Sequence, residues 1–252
     1  MLPTFVRSRL KRYELYFSEV PLSTRVTVVN LCPARLRQVA SHATITVMRL
    51  TIDMRVSELL ASRLCHDLAG PIAAIGNGAE LLDDDDPDFV RQAAVLIGDS
   101  ARTAAKRLQL FRYVYGFSSG AVAGPPPHVL AAEYFAGGPV ACDYPDAIRQ
   151  LDPAWQRLGC GLLIVAGEAM PRGGKLTLAV EGGAIAVAGI GEGAGPSTEI
   201  AEALMLKTPI EALTSRTIGA HFAGLLAQLL GRQLLVTADP GGFRIFCGAG
   251  GR

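Results

Sequence analysis

His66 is followed directly by Asp67, and Gly70 and Pro71 come four and five residues after the histidine. A neutral imidazole nitrogen is a good nucleophile near neutral pH and bonds covalently to phosphorus. The adjacent carboxylate can hydrogen-bond one ring nitrogen or take its proton, and so sets the tautomer and basicity of the other. A proline inside a helix removes one i→i−4 hydrogen bond and kinks the axis, which would open room beside the histidine. Leu64 and Leu68 belong to an apolar stripe, and His66 stands two residues from each, a rotation of about 200°. The imidazole is therefore expected to face water. Asn77 lies eleven residues further on, about 20° away in projection, and shares that face. Exposure alone is weak evidence, because many helical histidines are exposed by chance.

The elements that must carry these residues are two helices. Leu60, Leu64, Leu68, Ile72, Ile75, Ala79 and Leu82 recur at steps of three and four, one stripe of an amphipathic helix. The run Asp83-Asp84-Asp85-Asp86-Pro87-Asp88 closes that helix and opens another, with acids before and around a first-turn proline. Its plain role is a solvated turn, since a calcium loop would need a glycine and alternating ligands. Val90, Ala94, Ile97, Ala101, Ala104, Leu108, Phe111 and Tyr115 then alternate steps of four and three, a heptad seam. The pair is expected to form a hairpin over residues 54–117, and two such hairpins a four-helix bundle, which makes a homodimer the expected assembly.

Beyond the hairpin the pattern changes. Ser118–Pro127 is a linker by composition. Residues 128–252 read as a two-layer α/β sandwich, so the fold class is α+β. Strands are expected at Val140–Tyr144, at Lys175–Val180 with Ala184–Ile190 around Glu181-Gly182-Gly183, and at Gln233–Thr237 with Phe243–Cys247. Helices are expected over Pro153–Met170, with Asp152 as N-cap, and over Ile210–Leu230, with Gly231 at its C-terminal end.

The chain has 252 residues, a size that suits two domains, and half of them are hydrophobic. Its net charge of +1 divides into +5 over residues 1–53 and −4 over the remainder. A mildly acidic body argues against nucleic acid as the main partner. Residues 1–53 are rich in Arg and lack a sustained period. A targeting peptide and a basic tail share that composition, and translation starting at Met54 would also explain it. A disordered or non-native extension is the favoured expectation. The five cysteines have no CxxC spacing, and His42, His66, His128 and His221 complete no metal set. Reduced thiols in a cytoplasm are expected. No stretch reaches the ~20 apolar residues of a membrane span.

The segment His66-Asp67-Leu68-Ala69-Gly70-Pro71-Ile72-Ala73-Ala74-Ile75 resembles the H-box of bacterial histidine kinases: His, acid, Leu, two variable residues, Pro, then apolar positions. The longer stretch Leu59–Leu82, with Cys65-His66-Asp67-Leu68 and Gly76-Asn77-Gly78-Ala79-Glu80, is similar to the ChpT-type histidine phosphotransferases. That resemblance covers about residues 55–250, weakly after 180. It implies His66 as phosphoacceptor and Asp67 as supporting acid.

The same resemblance implies a sandwich like the kinase ATP-binding domain but degenerate. Counting back from Gly173-Gly174, the kinase magnesium-binding Asn falls on Val165 and the preceding Glu on Gly161. Gly189-Ile190-Gly191-Glu192-Gly193 keeps the glycines of the adenine-reading loop without its Asp, and Thr217–Phe222 keeps one glycine of the phosphate lid. Phosphate and magnesium sites need backbone cradles and charged oxygens, so no ATP, cofactor or metal of the chain's own is expected. The implied role is a relay in which a receiver Asp of a hybrid histidine kinase passes its phosphoryl group through His66 to response-regulator receivers of the cell cycle. The receivers would supply the magnesium. Arg63, Ala73, Asn77 and Glu80 are the expected contact residues on the first helix. Two alternatives stand: an ATP-dependent kinase with an atypical pocket, and a non-catalytic adaptor that binds receivers.

Overall fold

The computed structural model describes residues 53–116 and 124–249. The expected N-terminal extension, apart from Asp53, and positions 118–123 of the expected linker lie outside them. Helix α1 spans Met54–Glu80, with the Asp53 side chain accepting from the Arg55 amide as N-cap. It runs unbroken through Pro71 and ends in a 3-10 turn, Leu81–Asp83. Helix α2 spans Pro87–Tyr115, with Asp86 as N-cap and Pro87 in the first turn. The two form the expected hairpin.

The apolar stripes are only half used inside it. Ala93, Ser100, Leu110, Phe111 and Val114 turn inward on α2, whereas Ala94, Ala101 and Leu108 of the predicted seam are exposed. On α1, Ile72 is exposed as well. The reason is geometric: each stripe is wider than the contact with one antiparallel helix. Gly78 lets the helices close, because a Cβ there would stand 2.7 Å from Ile97 Cγ1.

Pro127, expected in the linker, instead opens a further helix, α3, Pro127–Phe135. Strand β1 (Val140–Asp143) and the single turn α4 (Asp146–Arg149) follow. Then come α5 (Pro153–Glu168), β2 (Gly174–Glu181), β3 (Ala184–Ile190) and α6 (Thr198–Leu204). The chain closes with α7 (Ile218–Leu229), β4 (Arg232–Asp239) and β5 (Gly242–Ala249). The sheet order is β1-β2-β3-β5-β4, parallel between β1 and β2 and antiparallel elsewhere.

The expected long helix from Ile210 does not form. Ile210–Ala212 is a 3-10 turn, Leu213 is extended, and α7 begins only at Ile218. The Thr217 hydroxyl accepts from the Thr214 amide at 3.0 Å. Such local bonds compete with helix hydrogen bonding, so two threonines in one turn break the segment.

Helix α5 fills the centre. Leu158, Leu162, Leu163 and Ala166 are fully buried and pack with Leu176, Leu178, Ile185 and Val187 of the sheet. The foot of the hairpin belongs to the same mass. Leu110, Phe111 and Val114 cluster with Leu130, Cys160 and Ile164. Tyr115 meets Phe222 edge-on, with ring centroids 5.3 Å apart. The Arg157 guanidinium donates to the Val114 and Gly116 carbonyls at 2.8 and 2.9 Å, capping the C-terminus of α2 from the sandwich side.

Candidate functional site

His66 stands on α1 with its side chain 85% exposed. Its Nδ1 lies 3.3 Å from Asp67 Oδ1. Asp67 is only 20% exposed, and its Oδ2 accepts from Arg63 Nε at 2.7 Å. The Asp67 carbonyl accepts from Arg107 Nη1 of α2 at 2.7 Å, which ties the backbone beside the histidine to the second helix. Ala73, Asn77 and Glu80 are exposed, as the helical projection places them.

Arg63 departs from expectation. It does not share the exposed face: its side chain is 16% exposed and turned toward the sandwich. Nη2 pairs with Glu168 at the end of α5, and Nη1 donates to the Ser215 carbonyl at 3.2 Å. Every nitrogen of the guanidinium is thereby engaged. Burial by itself would lower its pKa, but the Glu168 and Asp67 carboxylates outweigh that and hold it raised. Desolvation pushes the Glu168 carboxyl up, opposed by Arg63 and assisted by Asp67. Tyr134, packed beside this group, has its phenol pushed up to about 12, mainly by burial and next by Glu168. Glu168 was missed in the sequence because nothing in its spacing to His66, across 102 residues, links the two; only the domain contact does.

Several positions that the resemblance equates with kinase nucleotide contacts lie in packed surroundings. Val165 is 2% exposed in the main core. A Cβ on Gly161 would meet Val114 Cγ1 at 3.4 Å, so this position faces the hairpin. Gly189 is needed by the ring of Phe243, which would stand 2.4 Å from a Cβ there. Glu192 pairs with Arg172 at the surface. His221 is buried, with its Nδ1 unpartnered, and burial lowers its pKa. Among the described residues no group of three or more His, Cys, Asp and Glu could hold a metal ion, and no helix is long and apolar enough to cross a membrane.

This arrangement has known counterparts. A solved bacterial phosphotransferase superposes with a TM-score of 0.66 at 26% identity, over 79% of this chain and 98% of that one. Residues 128–242 match the histidine phosphotransferase C-terminal domain family. The protein phosphotransferase ChpT of Brucella abortus (strain 2308) is 35% identical over 127 residues. The chain is thus similar to histidine phosphotransferases of the ChpT type. The alignment spans 49% of this chain and 60% of the Brucella protein. The family match falls on the sandwich rather than on the H-box.

Proposed function

We propose that this chain is a covalent phosphoryl carrier acting through His66 in a multistep relay. The observation that carries this reading is an 85% exposed imidazole whose Nδ1 is held by a tethered carboxylate. With Nδ1 carrying the proton toward Asp67, Nε2 presents its lone pair to solvent. It attacks the phosphorus of an aspartyl phosphate on an upstream receiver. The N–P bond forms, the P–O bond breaks, and the donor recovers its carboxylate. The ring, now positively charged, is stabilised by Asp67 through the Nδ1–H. A downstream receiver Asp then takes the group and the neutral imidazole returns. Such transfer asks mainly for position and charge neutralisation. The receivers supply the magnesium, and the chain needs no ATP or metal of its own.

The upstream partner in this reading is the receiver of a hybrid histidine kinase, and the downstream ones are response-regulator receivers of cell-cycle control, in the cytoplasm. Ala73, Asn77 and Glu80, one exposed strip with His66, make the contacts. Purified protein mixed with a phosphorylated receiver is expected to acquire an acid-labile phosphohistidine. Radioactive ATP with the protein alone is expected to leave no label, because the kinase positions at Val165 and Gly161 are apolar and packed. ATP-dependent labelling would overturn the carrier assignment in favour of a kinase.

The working form in this proposal is a homodimer. Ala94, Ala101 and Leu108 recur every seven residues on the exposed side of α2, and Leu108 is 54% exposed, an apolar row that a second hairpin would cover. Leu108→Glu is expected to shift the protein from dimer to monomer in light scattering at micromolar concentration. A wild type that is monomeric there removes the bundle from the proposal.

A further inference from the structure

Arginines of the hairpin bind both within it and to the sandwich, and Arg63 does more than hold the domains together. Arg55 donates to the Ile210 and Leu213 carbonyls at 3.1 Å each. Arg107 stays within the hairpin, on the Asp67 carbonyl. Arg63 alone joins the acid beside the phosphoacceptor to the sandwich: Nε to Asp67, Nη2 to Glu168, Nη1 to the Ser215 and Arg216 carbonyls at 3.2 and 3.5 Å. A guanidinium is planar and its donors are fixed in direction. With all three nitrogens committed, it cannot rotate without losing partners. It therefore holds Asp67 by Oδ2 alone and leaves Oδ1 for His66 Nδ1.

We infer that Glu168 and Arg63 are positioning residues for the phosphoacceptor, by which the sandwich domain fixes the Asp67 carboxylate and through it the tautomer of His66. Glu168 draws one arm of the guanidinium away from Asp67. Without that pull, Nε and Nη2 would turn together onto the carboxylate in the two-pronged geometry arginine favours. Oδ1 would then be taken from His66, and the ring would relax toward the Nε2–H tautomer of a solvated imidazole. That form has its proton on the attacking nitrogen and no lone pair to offer there. The sandwich would thus contribute to transfer without touching the phosphoryl group. The tautomer claim concerns the resting protein, whereas its kinetic consequence rests on the carrier reading above.

The test uses the full chain. Nitrogen-15 NMR of the imidazole is recorded for wild type, Glu168→Gln and Arg63→Lys, and the rate of phosphoryl uptake from a phosphorylated receiver is measured on the same samples. Lysine keeps the charge but has one nitrogen and cannot span the partners. The wild type is expected to be largely Nδ1–H. Both variants are expected to shift toward Nε2–H and to slow uptake by about tenfold, the scale on which supporting residues act through a primary group. An unchanged thermal midpoint in Glu168→Gln marks the effect as positional. If that variant keeps the wild-type tautomer and takes up phosphate within about twofold of the wild-type rate, the inference is overturned, even where Arg63→Lys fails to fold. A wild type that accepts no phosphoryl group at all sinks the carrier reading instead, and the NMR comparison still decides the positioning.

Discussion

His66→Ala is expected to abolish phosphoryl uptake entirely while leaving the fold in place. The side chain is 85% exposed, and its described polar contact is the one to Asp67. Surface substitutions of this sort change stability by about 0.5 kcal/mol or less. The chemistry has no substitute: the N–P bond needs a ring nitrogen, and no other described histidine fits. His221 is buried, and His128, half-buried in the first turn of α3, has its ring 6.3 Å from that of Tyr144. In a reconstituted relay the variant should pass no label from the upstream to the downstream receiver, with an unchanged circular dichroism melt. Relay activity surviving in the variant would favour the adaptor alternative, in which the chain only brings receivers together.

The second large effect is expected at the junction between hairpin and sandwich. Phe111 is 3% exposed, with its ring 5.9 Å from that of Tyr115 and 6.2 Å from that of Tyr134. It therefore bridges α2 to α3 and, through Tyr115, to Phe222 of α7. Phe111→Ala leaves a cavity among residues already fixed by Arg157 and cannot collapse freely. A loss of about 3–5 kcal/mol follows from the removed ring and the void. For a body of this size that lowers the unfolding midpoint by roughly 10 °C. Because the hairpin foot shares a core with the sandwich, wild type should unfold in one transition by both far-ultraviolet dichroism and tyrosine fluorescence. Two separated transitions in the wild type would show that the junction is not cooperative.

Much of the molecule was legible before any coordinates. The stripe around Leu64 and Leu68 puts His66 on the outer side of its helix, because 3.6 residues per turn leaves no other direction for it. The acid run with Pro87 marks the hairpin turn because Pro has no amide to lose at a helix start. The strand pairs around Gly182-Gly183 and Gly241-Gly242 follow from period-two patterning and glycine turns, and Gly182, Gly183 and Gly241 all carry positive φ. The short helices α3, α4 and α6 carry no sustained period, and the segment before Ile218 patterns as helix beyond its true start, because at that length tertiary contacts outweigh local propensity.

Local pattern was enough to place His66, the proposed nucleophile, with Asp67 beside it and the helices that carry them, since all of these rest on neighbours within two turns. Tertiary structure alone decided where Asp67 is held and by what. Arg63 looks like a solvated helix charge until α5 brings Glu168 to it across 105 residues. A hydrogen bond of that reach leaves no trace in periodicity, because it depends on where two domains meet and not on how either repeats.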